Sequence, residues 1–150
     1  MKAVIQRVSN AKVSVKGIKE SIIENGLLLL LGIDKNDTEE DLKWLVNKII
    51  NIRIFDDFKG VMNVSLLDSG GELLVVSQFT LIGSSRKGNR PSYVRAAKHD
   101  LAIPLYERFI KLSQEKLGRE VKSGIFGANM KVELCNDGPV TLIIDSKQKE

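Results

Sequence analysis

Two short segments carry residue types suited to acyl chemistry. Ser77-Gln78-Phe79-Thr80-Leu81 places two hydroxyls and a carboxamide at the end of the chain's clearest strand pattern, residues 72–78. Polar residues where a strand enters a loop often line sites, although the same side chains would also serve to satisfy a turn. Asn136-Asp137-Gly138-Pro139-Val140-Thr141 is the second segment. Its Gly-Pro bond is tertiary, so the cis form costs only ~0.5–1 kcal/mol. An ordinary trans turn is the default expectation there.

The missing chemistry narrows the choice. There is one histidine, His99, and one cysteine, Cys135. A zinc site would therefore need an unusual carboxylate-rich shell, and neither metal nor cofactor is expected. No dinucleotide fingerprint, Walker sequence or His-Glu-x-x-His motif occurs, and no Gly-x-Ser-x-Gly elbow. Gly124 and Gly127 are three apart but lack the rest of a fingerprint. A Ser–His–Asp hydrolase would need His99 as base. That residue lies between Lys98 and Asp100 at a helix start and reads as a surface or capping residue. An enzyme built on this sequence must draw its chemistry from backbone or substrate groups, which points to activated substrates such as esters.

The elements that position these segments follow from periodicity. Residues 2–8 and 11–15 alternate and predict a hairpin through Ser9-Asn10. Residues 26–33 predict a strand buried on both faces. Thr38-x-x-Asp41 resembles a capping box. Leu42, Leu45, Val46, Ile49 and Ile50 behind it form one apolar helical stripe, with Trp44 off the stripe as a partly covered surface aromatic. Turns are expected at 56–60 and 69–71. Helical character is expected from Ser92 and again after Asp100. With Asp100 as N-cap, Pro104 falls in the tolerant first turn. Leu105, Phe109 and Leu112 supply the buried face and Gly118 the stop. Residues 131–135 and 140–145 predict an antiparallel pair turning at Asn136–Pro139. The fold class is α/β: a mixed, strand-rich sheet, or two packed sheets, covered by two principal helices.

The 150 residues, 43% hydrophobic and 28% charged, suit one globular domain over 1–150. The most apolar run, residues 27–31, is too short to span a membrane, and no signal peptide is visible. A lone cysteine fits a reducing compartment. The expectation is a cytoplasmic protein without a membrane partner, and a buried structural thiol at Cys135. The net charge of +4 matters less than its distribution. Residues 73–99 hold no acid, yet include Arg86, Lys87, Arg90, Arg95 and Lys98. This stretch reads either as solvated charge or as a phosphate-contacting surface.

Five blocks in order resemble one family across essentially the whole chain. They are Ala3-Val4-Ile5-Gln6-Arg7-Val8, Ser77-Gln78-Phe79-Thr80-Leu81, Lys87-Gly88-Asn89-Arg90-Pro91-Ser92, Phe126-Gly127-Ala128-Asn129-Met130 and Asn136-Asp137-Gly138-Pro139-Val140-Thr141. The chain resembles a D-aminoacyl-tRNA deacylase of the bacterial and eukaryotic type. Asn129 stands where the family pattern has Asp, and Ser84-Ser85-Arg86 departs from a lysine-rich version.

The resemblance implies ester hydrolysis at the 3′ end of an aminoacylated tRNA, by a homodimer. It implies a cis Gly138–Pro139 element inserted into the partner's site to reject L-amino acids. Glycyl-tRNA would escape rejection, having no side chain to clash. It further implies catalysis at Ser77, Gln78, Phe79 and Thr80, and a loop held by Arg7 and oriented by Met130. Phe126 would lie near the terminal adenosine, with a backbone contact from Ala102. Arg86, Lys87 and Arg90 would lie on RNA phosphates. Thr80 is either an orienting group or a nucleophile. Two rival readings are a non-catalytic RNA-binding module and an editing domain for a wrong L-amino acid.

Overall fold

The computed structural model describes residues 1–149. A long first strand, β1 (Lys2–Val15), organises a six-stranded mixed sheet. On one side it pairs antiparallel with β2 (Lys19–Ile23) and β3 (Gly26–Gly32), and on the other with β8 (Lys131–Asp145). β3 pairs in parallel with β6 (Glu72–Ser77), which pairs in parallel with the short β7 (Lys122–Ser123). A separate ribbon joins β4 (Arg53–Asp56) to β5 (Met62–Ser65), and the one-turn α2 (Leu66–Ser69) follows it. The two principal helices are α1 (Glu39–Asn51) and α3 (His99–Leu117). This is the expected mixed, strand-rich sheet with two main helices.

Apolar side chains lie on both faces of the sheet. Ala3, Ile5, Leu27, Leu29, Leu31, Leu73 and Val75 join the α1 stripe and the α3 residues Ala102, Tyr106, Phe109 and Leu112 in the larger cluster. Val8, Ala11, Val13, Leu28, Leu74 and Val76 form a second cluster. Burial on both faces explains why β3 and β6 read as continuous apolar runs. The capping box at α1 is present: the Asp41 amide donates to Thr38 Oγ1 and the Thr38 amide to Asp41 Oδ2. Trp44 is half-buried against the larger cluster.

Four expectations are corrected. Residues 2–15 form one strand, not a hairpin through Ser9-Asn10. Val8 is opposite Asn136 and Asn10 opposite Cys135, so β1 advances two residues while β8 advances one. A continuous pleat would keep Ala3, Ile5, Ala11 and Val13 on one face. The extra residue exchanges faces, and the first two enter the larger cluster while the last two enter the second.

Likewise 131–135 and 140–145 do not pair with each other, because both lie along β1 in the single strand β8. Between Gln6–Thr141 and Val8–Asn136, β1 advances two residues and β8 five, so the Gly-Pro element bulges from the strand.

Helix α3 is capped by Lys98, not Asp100, and 92–98 is not helical. Pro104 is therefore inside the helix rather than in its first turn. Finally, Cys135 is exposed rather than buried, because β8 presents much of its length to solvent.

Candidate active site

Strand β6 ends at Ser77, and the chain turns at once. Gln78 leaves the strand with φ −144° and ψ 76°, its amide still donating to the Leu31 carbonyl at 2.7 Å. Phe79–Ile82 then makes a tight 3₁₀ turn, closed by the Gly83 amide on the Thr80 carbonyl at 3.0 Å. Within this turn Gln78 Nε2 donates to Thr80 Oγ1 at 2.5 Å. The opening amides of such a turn lack partners inside it, so the segment offers donors as well as side chains.

A cavity of about 910 Å³ opens beside the turn. Ser77, Gln78, Phe79, Ala102, Phe126 and Met130 all line it. Met130 Sδ lies against Gly124, on the face of the second cluster. Thr80 is exposed and is tied to the lining through Gln78.

Between the turn and α3, the segment 83–98 contributes Tyr93, Ala96, Ala97 and Lys98 to the cavity lining. The Ser84 and Ser92 backbones exchange hydrogen bonds at 2.9 and 2.8 Å, closing a loop that carries the exposed Arg86, Lys87 and Arg90. None of these three lines the cavity. Tyr93 then packs edge-on to Phe79, ring centroids 5.1 Å apart. Its ring lies so close to Gly83 that a Cβ there would sit 2.8 Å from Tyr93 Cε1. Arg95 pins the segment: its Nε and Nη2 donate to Asp34 Oδ2 at 3.0 and 2.7 Å. Burial pushes the Asp34 carboxyl up, but the Asn36 amide and the Arg95 guanidinium outweigh it and hold the group below the usual carboxylate range.

Gly138 and Pro139 are exposed and do not line this chain's own cavity. Their peptide bond is cis. The loop is fastened at its neck. The Val140 amide donates to Asn136 Oδ1 at 3.0 Å, and Asn136 Nδ2 donates to Thr141 Oγ1 at 2.8 Å. Arg7 Nε donates to the Asp137 carbonyl at 2.9 Å, and its Nη1 to the Ile54 carbonyl at 2.8 Å. The guanidinium thus ties the loop to the β4–β5 ribbon.

The geometry brings together Ser77, Gln78, Phe79, Ala102, Phe126 and Met130, and sets apart the Gly-Pro loop with Arg7 and the basic loop. Sequence reasoning missed Tyr93 and His99 as lining residues. His99 is exposed as expected, but nothing local reveals that α3 begins at the cavity. Asn129 also lines the cavity. Among the described residues no group of three or more His, Cys, Asp or Glu is placed to hold a metal ion. Among the described residues no helix is long and apolar enough to cross a membrane.

Comparison with known proteins places this architecture. A chain described as c-Myc DNA Unwinding Element Binding Protein superposes with a TM-score of 0.91 at 40% identity, over 97% of this chain and 98% of that one. A chain described as a probable eukaryotic D-amino acid tRNA deacylase shares the fold, with a TM-score of 0.81 at 20% identity over 95% and 97% of the two chains. Residues 4–145 match the family described as D-Tyr-tRNA(Tyr) deacylase, and the chain belongs to that family. The D-aminoacyl-tRNA deacylase of Bacteroides thetaiotaomicron is 57% identical over 150 residues, covering all of both chains. That of Flavobacterium johnsoniae is 55% identical over the same span.

Proposed function

We propose that this chain hydrolyses the ester linking a D-amino acid to the 3′ end of tRNA, releasing both, and that it rejects L-aminoacyl-tRNA. The observation that carries the reading is the turn at the end of β6. Its side-chain-bonded Gln78 and Thr80 and its opening amides stand beside a cavity large enough for an aminoacylated nucleoside. The amides around Phe79 and Thr80, with Gln78 or Ser77, stabilise the oxyanion as water attacks. One such donor is worth ~10²–10³ in rate. Thr80 orients groups, since its hydroxyl already accepts from Gln78. The 2′-hydroxyl of the terminal ribose assists the water.

The working unit in this reading is a homodimer. The Gly138-Pro139 loop is exposed, is fastened by Arg7 and is absent from its own chain's cavity lining, so it enters the partner's cavity. A fixed backbone wall there excludes an L side chain by sterics and admits any D side chain, with Met130 helping to orient the loop. Glycyl-tRNA is also cleaved. Phe126 faces the terminal adenosine, Ala102 contributes a backbone contact, and Arg86, Lys87 and Arg90 contact acceptor-end phosphates. The site of action is the cytoplasm.

The test is a paired assay on D-tyrosyl-tRNA and L-tyrosyl-tRNA. Rapid release from the D substrate alone is expected; release from both, or from neither, sinks the proposal. A substrate ending in 2′-deoxyadenosine should react far more slowly, and equal rates would remove the 2′-hydroxyl from the mechanism.

A further inference from the structure

The sole histidine of the chain stands at the cavity, as the first residue of α3. Its ring meets Phe126 edge-on, centroids 5.8 Å apart with the planes at 88°. Phe126 in turn packs against Tyr106 at 5.5 Å and 60°. Tyr106 is buried, and its hydroxyl donates to the Val75 carbonyl of β6 at 2.9 Å. Three rings thus run from the core of the sheet to the cavity rim, anchored at the inner end by a hydrogen bond. Phe126 is flanked by both Tyr106 and His99. Edge-to-face contacts of this kind fix ring orientation, and a fixed aromatic face in a nucleic-acid cavity is a stacking platform for a base. Thr80 Oγ1, by contrast, is engaged by Gln78.

We propose that His99 is a positioning residue that holds Phe126 as the platform for the 3′-terminal base, and that it takes no part in proton transfer. This rests on the function proposed above. Steady-state turnover of D-tyrosyl-tRNA separates the roles. His99→Ala should raise KM about tenfold, the scale of one aromatic contact, and leave kcat within about twofold. His99→Phe should restore KM, with the wild-type pH profile of kcat. An unchanged KM in His99→Ala, a fall in kcat instead, or failure of His99→Phe to rescue would overturn the proposal.

A second measurement needs no turnover. With one histidine, the imidazole C–H signals of the wild-type protein identify themselves by NMR. Titration with the trinucleotide CCA should shift them, and CCU should shift them less. No shift with CCA would overturn the inference even if deacylation is observed. Inactivity on D-tyrosyl-tRNA with a CCA shift would instead count against the proposed reaction alone.

Discussion

The Arg7 guanidinium holds the Asp137 carbonyl one residue before the Gly-Pro pair, at 2.9 Å, from a strand 130 residues away in sequence. The same side chain holds the Ile54 carbonyl and, at 3.2 Å, the Asp56 carboxylate. Three partners from two elements make the loop's position a property of β1. Arg7→Ala should cost about 1–2 kcal/mol of stability, read as a fall in Tm of ~2–4 °C per kcal/mol. Deacylation of D-tyrosyl-tRNA should fall at least about tenfold. Arg7→Lys should not restore it, because an ammonium lacks the planar fork that reaches separate acceptors. Wild-type turnover in Arg7→Ala would disprove the loop's role.

Gly138 has φ 135°, and an added Cβ would lie 2.8 Å from Val140 Cγ2 and 3.0 Å from Arg7 Nη2. Gly138→Ala should therefore displace the guanidinium as well as strain the backbone. Gly17→Ala is the control: φ is +70°, and nothing lies within 4 Å of the added carbon. Assays run side by side should show a larger fall in Tm for Gly138→Ala than for Gly17→Ala, with activity lost only in Gly138→Ala.

Acid should weaken the fold through two carboxylates. Burial pushes Asp41 up, but the Lys147 ammonium at 2.6 Å and the Thr38 amide outweigh it, and the group is held well below the usual range. Asp34 is held down in the same sense by Asn36 and Arg95. A depressed carboxyl stabilises the fold above its unfolded value, about 3.9, and that stability is lost as pH falls through the folded value. Asp37, raised by burial, contributes in the opposite direction. Urea midpoints should fall below about pH 4, and Asp41→Asn should flatten the fall. An undiminished slope in that variant would assign the acid sensitivity elsewhere.

The Met1 ammonium and the Asp37 carboxylate lie 2.6 Å apart with both side chains fully buried, and Ser146 Oγ accepts a second bond at 2.7 Å. Asp37→Asn leaves an uncompensated buried charge, a loss of ~3–5 kcal/mol. Chemical denaturation should report it as a large drop in midpoint; a change within experimental error would contradict the burial of the pair.

Replacing Arg86, Lys87 and Arg90 together by alanine should weaken tRNA binding and reduce the slope of log K against log salt by roughly 2–3. Turnover at saturating tRNA should hold. An unchanged slope would leave the loop as solvated surface charge.

What local sequence encodes was readable where one element decides its own form. Thr38 and Asp41 cap α1 as their spacing implies, and the leucine run of β3 is buried as its composition demands. The errors at Ser9-Asn10 and Asn136–Pro139 share a cause. Turn-forming residues announce a departure from regular pairing, and they do not say whether the chain reverses or bulges. Only the partner strand decides, and for each site that partner is at the far end of the sequence. Cys135 is exposed for a related reason: alternation signals a strand, but not which of its flanks a neighbour covers. In the site, Ser77–Thr80 stood out because polar residues end an apolar strand. Tyr93 and His99 did not, since their approach depends on Arg95 reaching Asp34 and on where α3 begins.

The pairing of β1 with β8 also governs timing. During synthesis β1 finds its longest partner only once β8, far later in the chain, has been made. Until then one flank of β1 exposes a row of unsatisfied amides and carbonyls, a template for wrong partners. Contacts so distant in sequence fold slowly, and the Gly-Pro loop meets its Arg7 anchor only when β1 and β8 pair. A nascent fragment that has not yet made β8 therefore carries the Arg7 guanidinium but not the loop that it secures.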